Sequence, residues 1–249
     1  MKKLIFISIL AAFVLVPFVI VDGQTTVYIR RKGSEPTPTP TPTPGVAVVQ
    51  TAASATDAAA TPVTATFGDE LTGGNRIVVI VIVGNPEYLT VTDSQTNTYT
   101  VRASSPSNWS DSLEVVVLDT IADAGANTVT ATMAASYVYG LAVFELSGSA
   151  TGYDSTLGWN ELKTQTSNPI NAPEVTPSAS GAVVLAIFRK VASLSTWSSS
   201  FPLVAPDWEL SQASYYEQET AGPIQISVTP SSAPTETYPA SGGAVAYLP

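Results

Sequence analysis

A run of alternating threonine and proline divides this chain into a leading segment and a domain. Between Glu35 and Gly45 every second residue is proline. Proline fixes φ and lacks a backbone donor, so this stretch cannot join a sheet or pack a core. It favours polyproline II at about 3.1 Å per residue, which makes a semi-rigid spacer of roughly 30 Å. Residues 35–45 are therefore predicted to be a linker, and a packed core must come from the residues after Gly45.

The segment before the linker has a basic start and a long apolar run. Two lysines precede apolar or small residues from Leu4 to Val21. About 17–25 apolar residues span a bilayer as a helix, and lysines at the start favour a cytoplasmic N-terminus. The same order of residues also fits a secretory signal peptide cleaved before Gln24. Residues 1–23 are predicted to be a transmembrane anchor, with the cleaved signal peptide as the alternative.

Residues 24–34 connect this segment to the linker. Within Gln24–Lys32, Val27 and Ile29 alternate with more polar neighbours, which is the pattern of a short strand. The basic residues at its end suit lipid headgroups, so the stretch is predicted to be a juxtamembrane connector. The alternative is a donor strand that pairs with the sheet edge of a neighbouring subunit.

The remaining residues, 46–249, are predicted to form an acidic domain. Five of the ten Lys and Arg precede Gly45, against two of the twenty Asp and Glu, so the domain carries five cations, eighteen anions and a net charge of −13. Such a domain repels nucleic acid and anionic lipid, and no nucleic-acid partner is expected. The chain has no Cys and no His, which removes disulfides, Ser-His-Asp triads, Cys nucleophiles and zinc sites of the His/Cys type. No enzymatic activity and no cofactor are predicted.

The domain is predicted to be all-β. Runs of Thr, Val, Tyr and Ile recur between clusters of Gly, Pro, Asn, Asp and Ser, without a sustained helical period. About thirteen short strands fit two packed antiparallel sheets, hence a jelly-roll-like β-sandwich. The predicted strands are Val46–Gln50, Val63–Phe67, Arg76–Val83, Tyr88–Asp93, Thr98–Ala103, Ser112–Asp119, Thr128–Met133, Tyr137–Leu146, Leu157–Thr164, Ala182–Arg189, Glu209–Glu217, Ile224–Thr229 and Ala244–Leu248.

Two similar stretches raise the question of an internal repeat. Pro62–Phe67 precedes the apolar strand at Ile77, and Asn127–Met133 precedes the apolar strand at Leu141. One interpretation is a duplicated strand-pair unit. The preferred interpretation is that two separate sandwich strands have drifted to a similar Thr/Val composition.

Several motifs resemble a β-sandwich module of exported bacterial, archaeal and phage surface proteins. In that module a Gly-Asn turn leads into an apolar strand and a Val-Thr-Asp-Ser-x-x-Asn-Thr-Tyr hairpin comes next, here Gly74-Asn75 and Val91–Tyr99. A Gly-Ala-Asn-Thr-Val-Thr strand is present as Gly125–Thr130. A Glu-Tyr-Ser-Gly element is present as Glu145–Gly148, with Leu146 in place of tyrosine. The resemblance covers the whole domain and implies a jelly-roll-like fold but no catalytic residues.

Two glutamates lie inside apolar strands. Paired carboxylates about 5–10 Å apart hydrolyse glycosidic bonds, so a carboxylate-based hydrolase would use Glu114 and Glu145. Period-two alternation also permits each side chain to face solvent. The solvent-facing interpretation is preferred, because no further sugar-cleaving motif is present.

Five acidic or amide residues gather in turn-rich stretches near glycines. Calcium takes six to eight oxygen ligands of this kind, although no spacing here matches an EF-hand loop. Such residues also form turns simply by bonding their own backbone. A structural calcium site is thus an alternative to plain turns for Asp93, Asn97, Asp119, Asp123 and Asn127.

Three tryptophans lie in loop-like stretches flanked by small polar residues. Exposed rings of this kind stack on sugars, which would make the domain a glycan-binding module. Buried tryptophans instead close the open ends of a sandwich, and this is the preferred interpretation. The three residues are Trp109, Trp159 and Trp197.

Two strands are apolar on both faces. An antiparallel sandwich strand normally alternates because one face meets water, so Ile77–Val83 and Ala182–Phe188 need a second cover. The prediction is a homo-oligomer packed through their outer faces, and the rival is burial under the domain's own loops. The residues predicted for self-association are Ile77, Val79, Val81, Val83, Val184, Ala186 and Phe188.

Together these features predict a membrane-anchored extracytoplasmic structural or display protein. It would be a cell-surface or virion spike head, or an appendage subunit, that acts through protein or receptor contacts. Its partners would be the membrane, further copies of itself and other surface or capsid proteins, and it would be secreted if the N-terminus is cleaved. A carbohydrate-binding adhesin module is the alternative, and a carboxylate-based hydrolase is the third hypothesis.

Overall fold

The structure is a computed structural model, and its chain divides into two units, residues 1–42 and 43–249. The residues that it describes are 19–21, 24–26, 45–107, 113–125, 127–135, 137–148, 152–159, 166–190, 196–204, 211–234 and 240–249.

The first unit is described only at a short antiparallel hairpin. Val19–Val21 (β1) pairs with Gln24–Thr26 (β2), with Val19 opposite Thr26. Where the sequence predicts the last residues of an apolar helix, the structure therefore has strand, as β-branched Val-Ile-Val favours. The rest of the predicted anchor, the alternating Val27 and Ile29, and residues 35–44 of the linker lie outside the described residues. Within the described part of the chain, no helix has the length and apolarity needed to cross a bilayer.

The second unit is all-β, which confirms the predicted fold class at that level. Its described residues contain antiparallel strands and a single 3₁₀ turn at Pro86–Tyr88. The strands are Ala47–Ala60 (β3), Val63–Thr66 (β4), Arg76–Val83 (β5), Leu89–Asp93 (β6), Thr100–Ser104 (β7), Glu114–Ile121 (β8), Thr128–Met133 (β9), Val138–Ser147 (β10), Gly152–Trp159 (β11), Ile170–Asn171 (β12), Ala182–Lys190 (β13), Trp197–Ser198 (β14), Ser211–Gln218 (β15), Ser227–Pro230 (β16) and Ala240–Leu248 (β17).

Each of the thirteen predicted strands overlaps an observed one. The sequence missed β12 and β14, because two residues are too few to show alternation. It also ended the first strand ten residues early, since β3 continues through an Ala-rich stretch of low β-propensity.

Residues 45–148, the first module, fold as a nested set of strand pairs. One sheet has the order β3-β10-β5-β8-β7, and the other has the order β4-β9-β6. The first strand pairs with the last, the second with the second last, and the third with β8. The module is thus one long antiparallel hairpin whose paired strands are divided between two sheets.

Residues 152–249, the second module, repeat this order. Its sheets are β11-β17-β13-β15 and β12-β16-β14. Strand for strand the pairing matches that of the first module, except that its described residues include no counterpart of β7. The two modules therefore share one strand topology.

The two similar stretches of sequence are not equivalent strands of the two modules. Pro62–Phe67 and Asn127–Met133 contain β4 and β9, which are partners in one sheet with Val63 opposite Ala131. They are two sandwich strands of similar composition, as the preferred interpretation had it.

The modules pack through their larger sheets, so that four sheets form a stack. Alternate residues of β5 and β13, among them Ile80 and Leu185, share one core between the modules. The other residues of β5 pack against the small sheet of the first module, and those of β13 pack against the small sheet of the second. Each of these central strands is consequently covered on both faces.

The stack corrects the prediction of an outer apolar face. The seven residues predicted for self-association have no exposed surface at all. Their second cover is a further sheet of the same chain, neither a loop nor another subunit. Burying each Val, Ile or Phe side chain contributes about 1.5–3 kcal/mol, so these strands stabilise the fold and are not available to a partner.

Candidate functional site

Glu145 is a buried carboxylate with a structural role. It is 0% exposed, because β10 lies between β3 and β5 inside the stack. Oε1 accepts hydrogen bonds from Thr72 N at 2.8 Å and Asn75 Nδ2 at 2.6 Å, and Oε2 accepts one from Gln50 Nε2 at 2.7 Å. The interpretation that this side chain faces solvent is wrong. Its hydrogen bonds connect β10 with β3 and with the turn before β5.

The two glutamates considered for hydrolysis do not form a pair. Glu145 lies opposite Ile77 and Glu114 lies opposite Val83, at the two ends of β5. Six residues of strand separate these positions by roughly 20 Å. A glycosidase pair needs about 5–10 Å, so Glu114 and Glu145 are not the carboxylate pair that the hydrolase hypothesis requires.

A hydrogen-bond network around Asp93 holds the hairpin after β6. Oδ1 accepts from the backbone N of Gln95 and Asn97 at 3.1 and 3.0 Å. Oδ2 accepts from Asn97 Nδ2 at 2.8 Å, Tyr99 Oη at 2.8 Å and Asn127 Nδ2 at 3.0 Å. Two of the motifs that carry the resemblance to exported surface modules, Val91–Tyr99 and Gly125–Thr130, therefore meet at this turn.

The candidate calcium ligands are only partly brought together. Asp93, Asn97 and Asn127 converge, whereas Asp119 lies in an ion pair and Asp123 is exposed. The described residues contain no cluster of three or more acidic side chains suited to a metal ion. Donors surround the Asp93 carboxylate, so the arrangement fits a structural turn of the Asx type.

The pKa of Asp93 is set by two opposing effects. Partial burial raises it, but the hydrogen bonds from Asn127, Asn97 and Tyr99 outweigh that effect and hold it below its ordinary value of 3.8. A lowered pKa in the folded state means that the unfolded chain binds more protons in acid. Asp93 therefore stabilises the fold above its ordinary pKa, and this contribution is lost as the pH falls through the lowered value.

We expect Asp93→Asn to lower the free energy of unfolding by about 2 kcal/mol at pH 7, because an amide group then meets three side-chain donors. Urea unfolding at pH 7 and at pH 2.5 measures the effect, with the exposed Asp69→Asn as the matched control. The deficit of Asp93→Asn should shrink at pH 2.5, where the wild-type carboxyl is closer to protonation. An equal deficit at both pH values would show that the charge of Asp93 is irrelevant.

An ion-pair cluster lies on the face of the first module that meets the second. Asp119 Oδ2 is 3.0 Å from Arg76 Nη1, and its Oδ1 accepts from Arg102 Nε at 2.7 Å. A methyl group at Gly152, which has φ +87°, would lie 2.8 Å from Arg76 Nη2. Burial raises the pKa of the nearby Tyr247, and Asp119 raises it further. The sequence missed this cluster, since its members are 17 to 43 positions apart.

The two tryptophans that the structure describes pack against apolar cores. Trp197 is buried in the core of the second module. Trp159 is half-buried with its ring against Gly243, where a side chain would overlap it. Trp109 lies outside the described residues. Trp197 is thus not an exposed stacking platform, in line with the preferred interpretation.

Two loops at one end of the first module, residues 84–88 and 134–137, are joined by backbone hydrogen bonds, and each exposes a tyrosine. Gly84 N donates to Tyr137 O at 3.2 Å, and Ala134 N donates to Tyr88 O at 3.4 Å. Asn85 Oδ1 caps the intervening 3₁₀ turn by accepting from Glu87 N at 3.0 Å. Tyr88 is 45% exposed and Tyr137 is 51% exposed. The backbone is fixed while the rings remain accessible.

An acidic pair lies beside these tyrosines. The pKa of Glu114 is raised, first by partial burial and then by the negative charge of Glu87. No cation among the described residues forms an ion pair with either side chain. Glu87, Tyr88, Glu114 and Tyr137 together form what we call the tip surface.

The tip surface lies at the end of the first module opposite the linker. Gly45 enters the domain beside Gly148, and β3 begins there with Ala47 opposite Ser147. The tip surface instead adjoins Val83, the last residue of β5, which pairs with Val138 and Glu114. The sequence missed this site because it assigned Tyr88 to a strand and Glu114 to an unrelated pair.

Comparison of the chain with protein-family models, curated proteins and solved structures finds no match. The resemblance to exported surface modules stays a prediction from the motifs.

Proposed function

We propose that this protein is a membrane-anchored display protein outside the cytoplasm, a surface or virion spike head or an appendage subunit. The head would be the two-module stack, held by a spacer of roughly 30 Å. It would act through contacts with a protein or receptor, without enzymatic activity. We also propose that both modules are jelly-roll-like sandwiches, because the nested pairing of first strand with last follows the order of that architecture.

The observation that carries this proposal is the separation of the two ends of the first module. The linker joins one end, and accessible side chains on a fixed backbone lie at the other. The buried or partly buried carboxylates of the domain serve the fold. The oxygens of Glu145, Asp119 and Asp93 form hydrogen bonds or ion pairs with other residues of the domain. Such a head suits presentation of a surface more than it suits turnover of a substrate.

The alternative function, a carbohydrate-binding module, is supported by a different observation. Sugars stack on exposed aromatic rings, and the tip surface has two tyrosines where the sequence had suggested tryptophans. In this alternative Tyr88 and Tyr137 take the place of Trp159 and Trp197.

We expect the full-length protein to remain in the membrane fraction after an alkaline wash, because an apolar run of about 18 residues suffices to span a bilayer. Deleting residues 4–21 should leave the protein inside the cell. Protease added to intact cells should remove the head. A mature N-terminus at Gln24 would contradict the anchor but not the export, whereas a head protected from external protease would contradict display altogether.

A further inference from the structure

The tip surface combines two features that suit a positively charged partner. Its tyrosines are roughly half exposed on loops joined by two backbone hydrogen bonds. Aromatic faces attract ammonium and guanidinium groups, by about 0.5–1 kcal/mol at exposed sites. The Pro86–Tyr88 turn packs against β8, which places Glu87 near Glu114. In keeping with this, burial and then the negative charge of Glu87 raise the pKa of Glu114. A cation placed between them would relieve that repulsion.

The chain itself supplies few cations that could meet this need. The domain has eighteen acidic residues against five basic ones. Arg76 and Arg102 are held by Asp119, and the Arg189 guanidinium lies over the Tyr139 ring at 5.6 Å. The net charge of −13 on the domain therefore favours a partner that carries positive charge, and the exposed Tyr88 and Tyr137 are accessible to it.

We propose that the tip surface binds a lysine- or arginine-bearing segment of a partner protein. Glu87 and Glu114 form ion pairs with the lysine or arginine side chains of this segment. The ring faces of Tyr88 and Tyr137 contact the same cationic groups. This inference names the partner chemistry for the head and rests on the proposed display function. A neutral glycan would use the same tyrosines but would gain little from an unneutralised carboxylate pair.

The test uses the full-length protein in detergent micelles and a fluorescein-labelled peptide of alternating lysine and serine. We expect the double variant Glu87→Gln/Glu114→Gln to weaken peptide binding by about tenfold at roughly 0.1 M salt, where the Debye length is about 10 Å. The exposed pair Glu70→Gln/Glu174→Gln removes the same charge elsewhere and should weaken binding less than about twofold, as screened long-range attraction alone would. Equal losses in both variants would overturn the proposal, since binding would then follow net charge only.

The aromatic contribution is tested with Tyr88→Ala/Tyr137→Ala against Tyr88→Phe/Tyr137→Phe. The alanine pair should weaken peptide binding several-fold, while the phenylalanine pair keeps most of the affinity because it keeps the rings. Neutral oligosaccharides serve as the competing probe. If they bind, and the alanine pair abolishes this while the glutamine pair does not, the partner is a glycan and the proposal is wrong.

The two proposals fail in distinguishable ways. A head that external protease reaches, but whose tip variants bind the peptide like wild type, refutes this inference alone. A head that binds the peptide through the tip surface, yet is protected from external protease, refutes the display function alone.

Discussion

Replacing Asp119 by alanine is expected to lower the free energy of unfolding by about 3–5 kcal/mol. Asp119 is 1% exposed, and it neutralises Arg76, which is 7% exposed. Without the carboxylate, the Arg76 guanidinium remains buried beside Gly152 and loses its ion pair with Asp119. For a domain of this size the melting temperature should fall by roughly 10 °C, which differential scanning calorimetry measures directly.

The matched control is Asp123→Ala, which removes the same charge from an exposed loop residue. Its effect should stay within about 0.5 kcal/mol. The triple variant Arg76→Met/Asp119→Leu/Arg102→Met should recover most of the loss, because a well-packed apolar replacement of a buried ion pair is often neutral. If Asp119→Ala and Asp123→Ala have the same melting temperature, the ion-pair cluster does not stabilise the packing of the two modules.

Replacing Glu145 by alanine is expected to cost about 3–4 kcal/mol, because three donors lose a charged acceptor inside the stack. The donors are Thr72 N, Asn75 Nδ2 and Gln50 Nε2. Glu145→Gln should cost about half as much, since its remaining oxygen still accepts two of these bonds. Urea unfolding at pH 7 gives both values.

The exposed Glu174→Ala is the control for the Glu145 series and should unfold like wild type. Two outcomes would contradict the structural role. One is a Glu145→Ala protein of unchanged stability. The other is a Glu145→Gln protein no more stable than Glu145→Ala, which would mean that the hydrogen bonds do not matter individually.

The local signals in the sequence predicted the strands and the turn that follows β6. Alternation of apolar and polar residues predicts strand because successive side chains face opposite sides, whatever they later pack against. The Asp93 turn was likewise visible, since Asp93, Asn97 and Tyr99 lie within seven residues, and both Asn97 and Tyr99 donate hydrogen bonds to Asp93. Of the two interpretations considered for the Asp93 turn, a plain Asx turn fits the observed hydrogen bonds better than a calcium site.

The partners across the fold were decided only by the tertiary structure. A strand that is apolar on both faces, such as Ile77–Val83, shows that both faces are covered but not by what. Here the covers are two sheets from residues far away in the sequence, including β13 of the other module. The shared topology of the two modules was hidden for the same reason, because they have the order of strand pairing in common and not the residues.

The sequence by itself determined that the chain has a proline-rich divider, an acidic domain and a set of short strands. Only the tertiary structure decided that Glu145 and Asp119 are internal and that Glu87, Tyr88, Glu114 and Tyr137 share one end. Charge, backbone restriction and side-chain alternation are properties of neighbouring residues, so they can be read along the chain. Burial and proximity depend on which distant segments the packing brings together, and no local pattern encodes that.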